Sequence, residues 1–560
     1  MTVSYQKNYE KWRNYPYLDA KLKDILVNMT PKEIEESFYR DLEFGTGGMR
    51  GILGPGTNRM NIYIVQKATL GFARYLGEKH FGGKVAISYD NRNFSKEFAF
   101  EAAKVLTSQG FKVYLFKNMR PTPQLSFAVR HFGCCGGIMI TASHNPKEYN
   151  GYKIYDNSGC QLLPEEADIV ISKIKEIDDY FSIETEKNHN NIFYLQDDFD
   201  KDYLDLVKTI QLNPDLPKDF KLIFTPLHGT GSTVAVGLLK SLGYDVLPVL
   251  SQMTEDPNFS GTESANPEDK KAFIEAIKLA EEHRALIALA TDPDADRVGV
   301  AVLHNNEYIL LNGNQTAVIT MNYIAKNRKK LGTLPKEGYV FTSNVSSVLP
   351  LEIAKSYGLK TKTTLTGFKY IGAEIRKLEN TDAEFVFGYE ESFGSLQKDF
   401  VRDKDAIQSV LILAEIAAYL KTKEMTMLDY LDDIYQEYGY YQEDIINLNF
   451  KGLEGLTKMQ EIISFFRNND ISVNGFELKR KEDFLKQKIY ENKQILELDF
   501  PQADVIRYLF SDDSWFILRP SGTEPKLKIY FGVKDTCEKT ASKKLLDLKE
   551  AVNNILGDVK

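Results

Sequence analysis

The chain has 560 residues, of which 43% are hydrophobic, 27% charged and 12% aromatic, and its formal net charge is −9. A chain of this length exceeds what one hydrophobic core usually supports, so we expect several domains. The acidic balance argues against a general nucleic-acid-binding protein, which usually carries a basic excess. It is compatible with a local basic pocket for a small anion.

The sequence gives no indication of a membrane partner. Residues 1–10 lack the apolar core of a secretory signal, and no apolar stretch approaches the length of a bilayer span. Four cysteines, two of them adjacent at 134 and 135, fit neither a disulfide framework nor a CxxC metal pattern. We therefore expect buried free thiols in a cytoplasmic protein.

Strands and helices are predicted to alternate along most of the chain. Before residue 44, the spacing of Leu22, Ile25 and Leu26 predicts a helix. A first unit is predicted to contain strands at 84–89, 112–116 and 137–140 and a helix at 97–109. A second unit is predicted to contain strands at 222–224 and 285–290 and a helix near 234–242. A third unit is predicted to contain strands at 339–342 and 384–387 and helices near 351–357 and 370–378. Such alternation indicates mostly parallel sheets covered by helices.

The last part of the chain differs in pattern and predicts a smaller α+β domain. Strands are predicted at 515–518 and 527–533, followed by a helix at 542–556, and the apolar residues of the second strand alternate as in a strand buried on one face. The expected domains are therefore 1–205 (an N-terminal helical extension and the first α/β domain), 206–325, 326–447 and the C-terminal 448–560.

The first candidate loop is Thr141-Ala142-Ser143-His144-Asn145-Pro146, directly after an apolar strand. It predicts an exposed serine in a loop stiffened by proline, which could act as a nucleophile that carries a group covalently. A hydrolase pair of Ser143 and His144 is disfavoured, because adjacent side chains of an extended segment point in opposite directions. The G-x-S-x-G elbow of such hydrolases is also absent.

The second loop is Asp292-Pro293-Asp294-Ala295-Asp296-Arg297, again after an apolar strand. Three carboxylates at alternate positions can converge on one hard cation, and Mg²⁺ prefers such oxygen ligands. An EF-hand would require glycine and glutamate where Arg297 and Leu303 stand, so it is excluded. The alternative is a solvated acidic turn.

Two further loops carry groups suited to a sugar phosphate. Gly388-Tyr389-Glu390-Glu391-Ser392 offers carboxylates and a hydroxyl at the end of a predicted strand, although paired glutamates on surfaces are usually only solvated. Arg519-Pro520-Ser521-Gly522-Thr523-Glu524-Pro525-Lys526 combines cationic groups with hydroxyls and a glycine, as in a phosphate cradle, and its alternative is a plain turn. Together the four loops indicate phosphoryl transfer on a sugar phosphate. A P-loop is absent, so a phosphorylated Ser143 rather than a nucleotide is the expected donor.

These loops resemble the signature of the α-D-phosphohexomutase superfamily, which contains the phosphoglucomutases and phosphomannomutases. The resemblance covers nearly the whole chain, and the loops occur in the family order. It implies three similar mixed-sheet α/β domains around a central cleft plus a C-terminal α+β domain. This agrees with the domains expected above.

The resemblance implies roles for particular residues. Ser143 would be a phosphoserine that binds one Mg²⁺ together with Asp292, Asp294 and Asp296. The other catalytic residues it implies are Lys153 for proton transfer, Arg50 and Arg297 beside the reacting phosphoryl group, and Lys404 as a second acid/base candidate. The substrate contacts expected with it are His144, Thr366, Gly367, Lys369, Glu390, Ser392, Arg519, Ser521, Gly522, Thr523 and Lys526.

The activity implied by the resemblance is interconversion of glucose 1-phosphate and glucose 6-phosphate. The phosphoserine would give its phosphoryl group to the sugar phosphate, and the resulting 1,6-bisphosphate would return its other phosphate to Ser143. Sugar phosphates are the expected partners and glucose 1,6-bisphosphate the expected activator. Whether the chain is a monomer or a homo-oligomer is left open by the sequence.

The choice of sugar is the main alternative within the family. The Glu390-Glu391-Ser392-Phe393-Gly394 string is closer to glucomutases than to dual-specificity mannomutases, which have methionine and histidine where Glu391 and Gly394 stand. The string at 44–51 and Tyr389 resemble a longer branch that includes phosphopentomutases. Phosphopentomutase or phosphomannomutase activity, and more remotely a non-catalytic sugar-phosphate-binding protein, are therefore kept as alternatives.

Overall fold

The computed structural model describes residues 4–45, 48–186, 189–450, 452–520 and 526–559. Its chain divides into two compact units. Unit one contains Met1–Asn312, Gly372–Thr381 and Ser392–Glu424. Unit two contains Gly313–Ile371, Asp382–Glu391 and Met425–Lys560.

Unit one begins with three short helices, α1 (Ser4–Arg13), α2 (Ala20–Val27) and α3 (Pro31–Phe38). The N-terminus of α2 is capped by the side chain of Asp19, and that of α3 by a Thr30–Glu33 capping box. The predicted N-terminal helix is thereby confirmed. These helices bury Trp12 and Phe38 in an aromatic cluster that also contains Tyr63 and Tyr180.

The first sheet of unit one has the order β1-β2-β6-β5-β3-β4-β7. Its elements in chain order are β1 (Phe44–Gly45), β2 (Gly48–Ile52), α4 (Ile62–His80), β3 (Lys84–Tyr89), α5 (Ser95–Ser108), β4 (Lys112–Phe116), α6 (Thr122–His131), β5 (Gly136–Ile140), β6 (Tyr149–Tyr155), α7 (Pro164–Lys175), β7 (Ile192–Leu195) and α8 (Phe199–Lys208). Strand β3 runs parallel to β4 and β5, whereas β6 runs antiparallel to β5 and β2. The carboxyl end of β5 therefore meets the beginning of β6 at one edge, where the Ser143 loop lies.

The second sheet has the order β12-β11-β10-β8-β9. Its elements are β8 (Lys221–Thr225), α9 (Ala235–Ser241), β9 (Asp245–Pro248), α10 (Ile274–His283), β10 (Ile287–Thr291), β11 (Val298–His304) and β12 (Glu307–Leu311). Strands β10 and β11 pair antiparallel, and the aspartate loop joins them. Residues buried on β8 and β10 form the core of this part with α10.

Strands β13, β14 and β15 of the third sheet belong to unit two. Strand β13 runs parallel to both β14 and β15. The elements that follow the second sheet are α11 (Gly313–Lys330), β13 (Gly338–Ser343), α12 (Leu349–Ser356), β14 (Lys360–Thr364), α13 (Phe368–Arg376), β15 (Glu384–Tyr389), β16 (Ser395–Leu396), α14 (Ala406–Lys421) and α15 (Met427–Tyr438). Helix α14 lies in unit one, where its N-terminus is capped by Asp405.

The C-terminal sheet is antiparallel, with the order β17-β23-β22-β21-β18-β19-β20. Its elements are β17 (Tyr440–Asn449), α16 (Gly452–Asn468), β18 (Leu478–Asp483), β19 (Lys488–Glu491), β20 (Gln494–Glu497), β21 (Ile506–Phe510), β22 (Trp515–Pro520), β23 (Lys526–Asp535) and α17 (Glu538–Val559). The α/β fold class with a C-terminal α+β domain is thus confirmed.

The prediction that 527–533 forms a strand buried on one face only was wrong. Leu527, Ile529, Phe531 and Val533 face one apolar cluster, but Tyr530 on the other face is also buried. It packs in a second cluster with Trp515 and with residues of the third-sheet region such as Val345. Alternation of apolar residues within a strand cannot show that residues distant in sequence cover its other face.

No helix among the described residues is long and apolar enough to cross a membrane. The expectation of buried thiols holds for Cys134 and Cys160, whereas Cys135 is only half-buried and Cys537 is exposed. Burial raises the pKa of Cys134 to about 12 and that of Cys135 to about 11. A hydrogen bond from Thr540 lowers the pKa of Cys537.

The folded protein should therefore present one fast-reacting thiol. Because the thiolate is the nucleophile, iodoacetamide at pH 8 is expected to modify Cys537 first and to leave Cys134, Cys135 and Cys160 largely unmodified. Peptide mass spectrometry after brief labelling measures the site. In a denaturant all four thiols should react, and Cys537→Ser should remove the fast phase; fast labelling of Cys135 in the folded protein would contradict the expectation.

Candidate active site

Ser143 lies in the loop that joins β5 to β6, and its backbone is left-handed with φ 51°. Its side chain is buried, at 2% exposure, so the prediction of an exposed serine was wrong. The hydroxyl Oγ donates a hydrogen bond to Asp292 Oδ2 at 2.7 Å, and the Ser143 backbone N–H donates to Thr141 Oγ1 at 2.8 Å. The serine is therefore held against the aspartate loop of the second sheet.

The left-handed backbone also brings the Ser143 side chain beside that of its neighbour. Ser143 Oγ is 3.1 Å from His144 Nδ1. The prediction that these two side chains point in opposite directions was therefore wrong. The hydroxyl carries one proton and can donate it to only one of Asp292 and His144. Burial, together with the positive charges of Arg297 and Arg50, lowers the pKa of His144 well below its usual value, so the imidazole is neutral.

Asp292, Asp294 and Asp296 form a buried carboxylate triad between β10 and β11. One ligand atom from each lies within 4.8 Å of the others. Asp292 Oδ1 accepts the backbone N–H groups of Asp296 and Arg297, both at 3.1 Å, and Ala295 takes a left-handed φ of 50°. These bonds turn the loop so that all three carboxylates face inward.

The triad has the composition of a site for a hard cation. Burial and the negative charges of Asp294 and Asp296 raise the pKa of Asp292 well above its usual value. Asp294 Oδ2 accepts a hydrogen bond from Thr122 at 2.9 Å, whereas its Oδ1 atom is buried and has no hydrogen-bond partner among the described residues. A buried carboxylate oxygen without a donor is a suitable ligand for a divalent metal ion. The expected metal-binding aspartates are thus brought together.

Two lysines balance part of this negative charge. Lys153 Nζ lies 2.8 Å from Asp294 Oδ2 and 3.5 Å from Asp296 Oδ2. Lys404 Nζ lies 3.1 Å from Asp296 Oδ2 and 3.2 Å from Asp403 Oδ1. Burial by itself would lower the pKa of Lys153, but the carboxylates of Asp294 and Asp296 raise it overall. The ammonium groups of both expected acid/base candidates therefore contact carboxylates of the triad.

The two expected arginines lie at the edge of this centre. Arg50 on β2 donates to Asn145 Oδ1 at 2.8 Å, next to the Ser143 loop. Arg297 donates to Glu268 Oε1 at 2.7 Å, and its Nε is 3.7 Å from Asp296 Oδ1.

Ser392, an expected substrate contact, is half-buried in unit one.

The other expected substrate contacts belong to unit two. Glu390 is buried, and its Oε1 accepts the backbone N–H of Gly367 at 2.8 Å. Thr366 Oγ1 donates to Asn344 Oδ1 at 3.3 Å, and Lys369 Nζ lies 5.3 Å from the ring centroid of Tyr370. The segment after β15 and the segment before α13 are therefore joined by a direct hydrogen bond. The alternative of a solvated glutamate pair is excluded for Glu390.

Arg519 and Lys526 are half-buried at the adjoining ends of β22 and β23. Strand pairing aligns Arg519 with Lys528 and Pro520 with Leu527, which places Arg519 and Lys526 at the same end of this strand pair. Ser521, Gly522 and Thr523, expected to contact phosphate, lie outside the described residues.

Comparison with known proteins decides the family. Four family models, described as phosphoglucomutase/phosphomannomutase alpha/beta/alpha domains I, II and III and C-terminal domain, match residues 41–181, 201–305, 312–438 and 476–546. A phosphoglucomutase from Staphylococcus aureus (strain MRSA252) is 39% identical over 524 residues, which are 92% of this chain and 94% of the relative. The chain belongs to the phosphoglucomutase/phosphomannomutase family.

Solved structures of this family share the fold at low sequence identity. A candidate phosphomannomutase from Thermus thermophilus is 23% identical and has a TM-score of 0.69, with 92% of this chain and 99% of that one covered. The open form of parafusin, a phosphoglucomutase from Paramecium, is 19% identical and has a TM-score of 0.66, with 92% and 96% covered. At these identities the likeness establishes the fold alone.

Residues that the sequence did not single out also form the centre of this family member. Thr122 donates to the triad, and Arg92 contacts the backbone of the Ser143 loop. Arg92 follows β3 in the string Asp90-Asn91-Arg92, so its place at the carboxyl end of a predicted parallel strand was the available signal. Thr122 carries no comparable signal, since it begins a helix of ordinary composition.

Gly394 provides the space through which Lys404 reaches the triad. A Cβ at this position would lie 2.0 Å from Lys404 Cδ. Gly394→Ala is therefore expected to displace the Lys404 ammonium from Asp296 and to lower the free energy of unfolding by about 1–3 kcal/mol. A crystal structure of the variant and its denaturant unfolding measure the two effects.

A double-mutant cycle separates this contact from a general effect of alanine. In a Lys404→Ala background the same glycine substitution should cost little, because the clashing side chain is gone. Gly77 on α4 has open space at its Cβ position, so Gly77→Ala is the matched control and should be neutral or slightly stabilising. Equal costs of Gly394→Ala in both backgrounds would show that Lys404 is not the partner.

Proposed function

We propose that this protein interconverts glucose 1-phosphate and glucose 6-phosphate as a phosphoglucomutase, with Ser143 as the residue that carries the phosphoryl group. The observation that supports the proposal most directly is the contact of Ser143 Oγ with the buried aspartate triad at 2.7 Å. The 39% identity to a phosphoglucomutase over 92% of the chain supports glucose as the sugar.

The reaction would proceed in two phosphoryl transfers. In the first, the bond between phosphorus and Ser143 Oγ breaks as the free hydroxyl of the sugar phosphate forms a new bond to phosphorus, giving glucose 1,6-bisphosphate. In the second, the other phosphoryl group passes to Ser143 Oγ and the product leaves. Added glucose 1,6-bisphosphate would act as the activator, because it can phosphorylate Ser143.

We propose Mg²⁺ as the cation of the triad, held by Asp292, Asp294 and Asp296 together with an oxygen atom on Ser143. The buried Asp294 Oδ1 without a hydrogen-bond donor supports this assignment. When bound, the ion would supply positive charge against the oxygens of the transferring phosphoryl group.

Lys153 and Lys404 are the proposed proton-transfer residues: one ammonium would donate a proton to Ser143 Oγ as its bond to phosphorus breaks, and the resulting amine would accept the proton of the reacting sugar hydroxyl. Their ammonium groups lie 2.8 Å from Asp294 and 3.1 Å from Asp296, next to Ser143. Arg50, Arg297 and neutral His144 would orient the phosphoryl oxygens, since charged and hydrogen-bonding groups fixed in advance are the main source of catalysis in phosphoryl transfer.

The remaining residues are proposed to recognise the substrate. Glu390 and Ser392 are proposed to bind sugar hydroxyls. Three further proposed substrate contacts lie at or next to the Glu390–Gly367 hydrogen bond, namely Thr366, Gly367 and Lys369. The proposed contacts of the non-reacting phosphate are Arg519, Ser521, Gly522, Thr523 and Lys526. The domain boundaries 1–205, 206–325, 326–447 and 448–560, and the cytoplasmic location, stay predictions.

Turnover of three sugar phosphates tests the function. With Mg²⁺ and a trace of glucose 1,6-bisphosphate, kcat/KM should be highest for glucose 1-phosphate and lower for mannose 1-phosphate and ribose 1-phosphate. Ser143→Ala removes the group that carries the phosphoryl group, so its kcat should fall by at least about 1000-fold. A preference for ribose 1-phosphate would indicate a phosphopentomutase that uses the same mechanism. Absence of turnover with all three sugar phosphates would refute the proposal.

Metal binding tests the triad separately from turnover. Asp294→Asn removes a charged ligand and should weaken the binding of Mn²⁺, measured by titration calorimetry, by about 100-fold. Glu268→Gln, which alters only the partner of Arg297, is the matched control and should bind the ion as the unchanged protein does. Equal affinities of the two variants would show that the triad is not the metal site.

A further inference from the structure

Arg92 is a buried arginine whose guanidinium is surrounded by the backbone of the Ser143 loop. Its Nη2 donates to the carbonyl oxygens of Ser143, at 2.5 Å, and of Asn145. Its Nη1 donates to the carbonyl oxygens of Pro146 at 2.8 Å and Tyr149 at 3.1 Å. One side chain thus gathers four carbonyl groups from seven consecutive residues.

The guanidinium is itself held from the opposite side. Arg92 Nε lies 3.4 Å from Asp90 Oδ2, and both side chains have no exposed surface. Asp90 Oδ1 accepts hydrogen bonds from the Arg92 backbone N–H at 2.9 Å and from Ser95 Oγ at 2.6 Å. The guanidinium carbon of Arg92 lies over the ring of Phe259, 5.1 Å from its centroid. Arg92 is therefore fixed at the end of β3 before it contacts the loop.

These contacts bear on the conformation of Ser143. A left-handed φ is unusual for a residue other than glycine and persists only where the surroundings hold it. The carbonyl of Ser143 is directed at Arg92, and in a trans peptide the following N–H points the opposite way. Among the described residues, the backbone N–H of His144 makes no hydrogen bond. It faces away from Arg92 and is available to an acceptor.

We propose that Arg92 is a positioning residue for phosphoryl transfer. It draws the carbonyl groups of the loop together, keeps Ser143 left-handed with Oγ against Asp292, and turns the His144 backbone N–H to where it can donate to an oxygen of a phosphoryl group on Ser143. The inference rests on the proposed function of Ser143. It assigns to Arg92 no contact with the substrate.

Arg92→Lys tests the role of the forked guanidinium, because it keeps a positive charge beside Asp90 but offers one ammonium where two nitrogens now reach four carbonyls. The kcat should fall by about 100-fold, as expected for a misplaced reacting group. The KM for glucose 1-phosphate should change by less than about threefold, because other residues bind the substrate. Amide hydrogen exchange in 141–149 should become faster, whereas exchange in the rest of the chain should not change.

A matched control separates this effect from the loss of any buried arginine. Arg467 in the C-terminal sheet region pairs with Asp483 at 3.2 Å and Asp504 at 2.6 Å, and its side chain is 10% exposed. Arg467→Lys should keep the kcat of the unchanged protein. Guanidinium ion at millimolar concentration should restore part of the kcat of Arg92→Ala, whereas methylammonium should not, because it lacks the fork.

A second variant keeps the test decisive if Arg92→Lys does not fold. Asp90→Asn leaves the arginine in place but loosens its hold, and should lower kcat by about tenfold with faster exchange in 141–149. Unchanged kcat, or a lower kcat without faster exchange in this loop, would overturn the positioning role. If the unchanged protein has no mutase turnover, the proposed function fails, while hydrogen exchange still reports whether Arg92 holds the loop.

Discussion

The burial of three carboxylates at one point is the constraint on which the rest of unit one depends. Ligand atoms within 4.8 Å of one another would repel by about 3.5 kcal/mol per charged pair at an effective dielectric constant of 20. Lys153 and Lys404 offset part of this cost, and the hydroxyls of Ser143 and Thr122 and the backbone N–H groups of the loop offset more. Such an arrangement is costly for a structural role and well suited to binding a cation.

The topology of unit one explains how these groups meet. Strand β6 returns antiparallel beside β5, so Lys153 lies opposite Met139 and a short distance from the loop that follows Ile140. The aspartate cap of α14 fixes the backbone one residue after Lys404. A strand thus sets the position of Lys153 and a helix cap that of Lys404, whereas Ser143, the proposed nucleophile, lies on a loop. That loop needs its own support, and Arg92 provides it from the end of β3.

The sequence predicted much of this molecule. Strands such as Lys84–Tyr89 and Lys112–Phe116 were found because their apolar runs are long and bounded, and the aspartate loop was found because its spacing suits one cation. The burial of Ser143 could not be found, since the second sheet that covers it is distant in sequence. The wrong geometry for His144 followed from assuming an extended segment. Arg92 was missed because a single arginine after a strand is a weak pattern.

In the proposed reaction, phosphoryl transfer and sugar recognition would be carried out by different side chains. The groups around Ser143 are carboxylates, ammonium groups and guanidinium groups, which recognise a phosphoryl group and a cation but carry no information about a sugar ring. In that proposal the sugar would be recognised by groups such as Glu390, whose carboxylate accepts a hydrogen bond from the Gly367 N–H. Under this proposal a change of sugar would require changes around Glu390 while the Ser143 centre stayed the same.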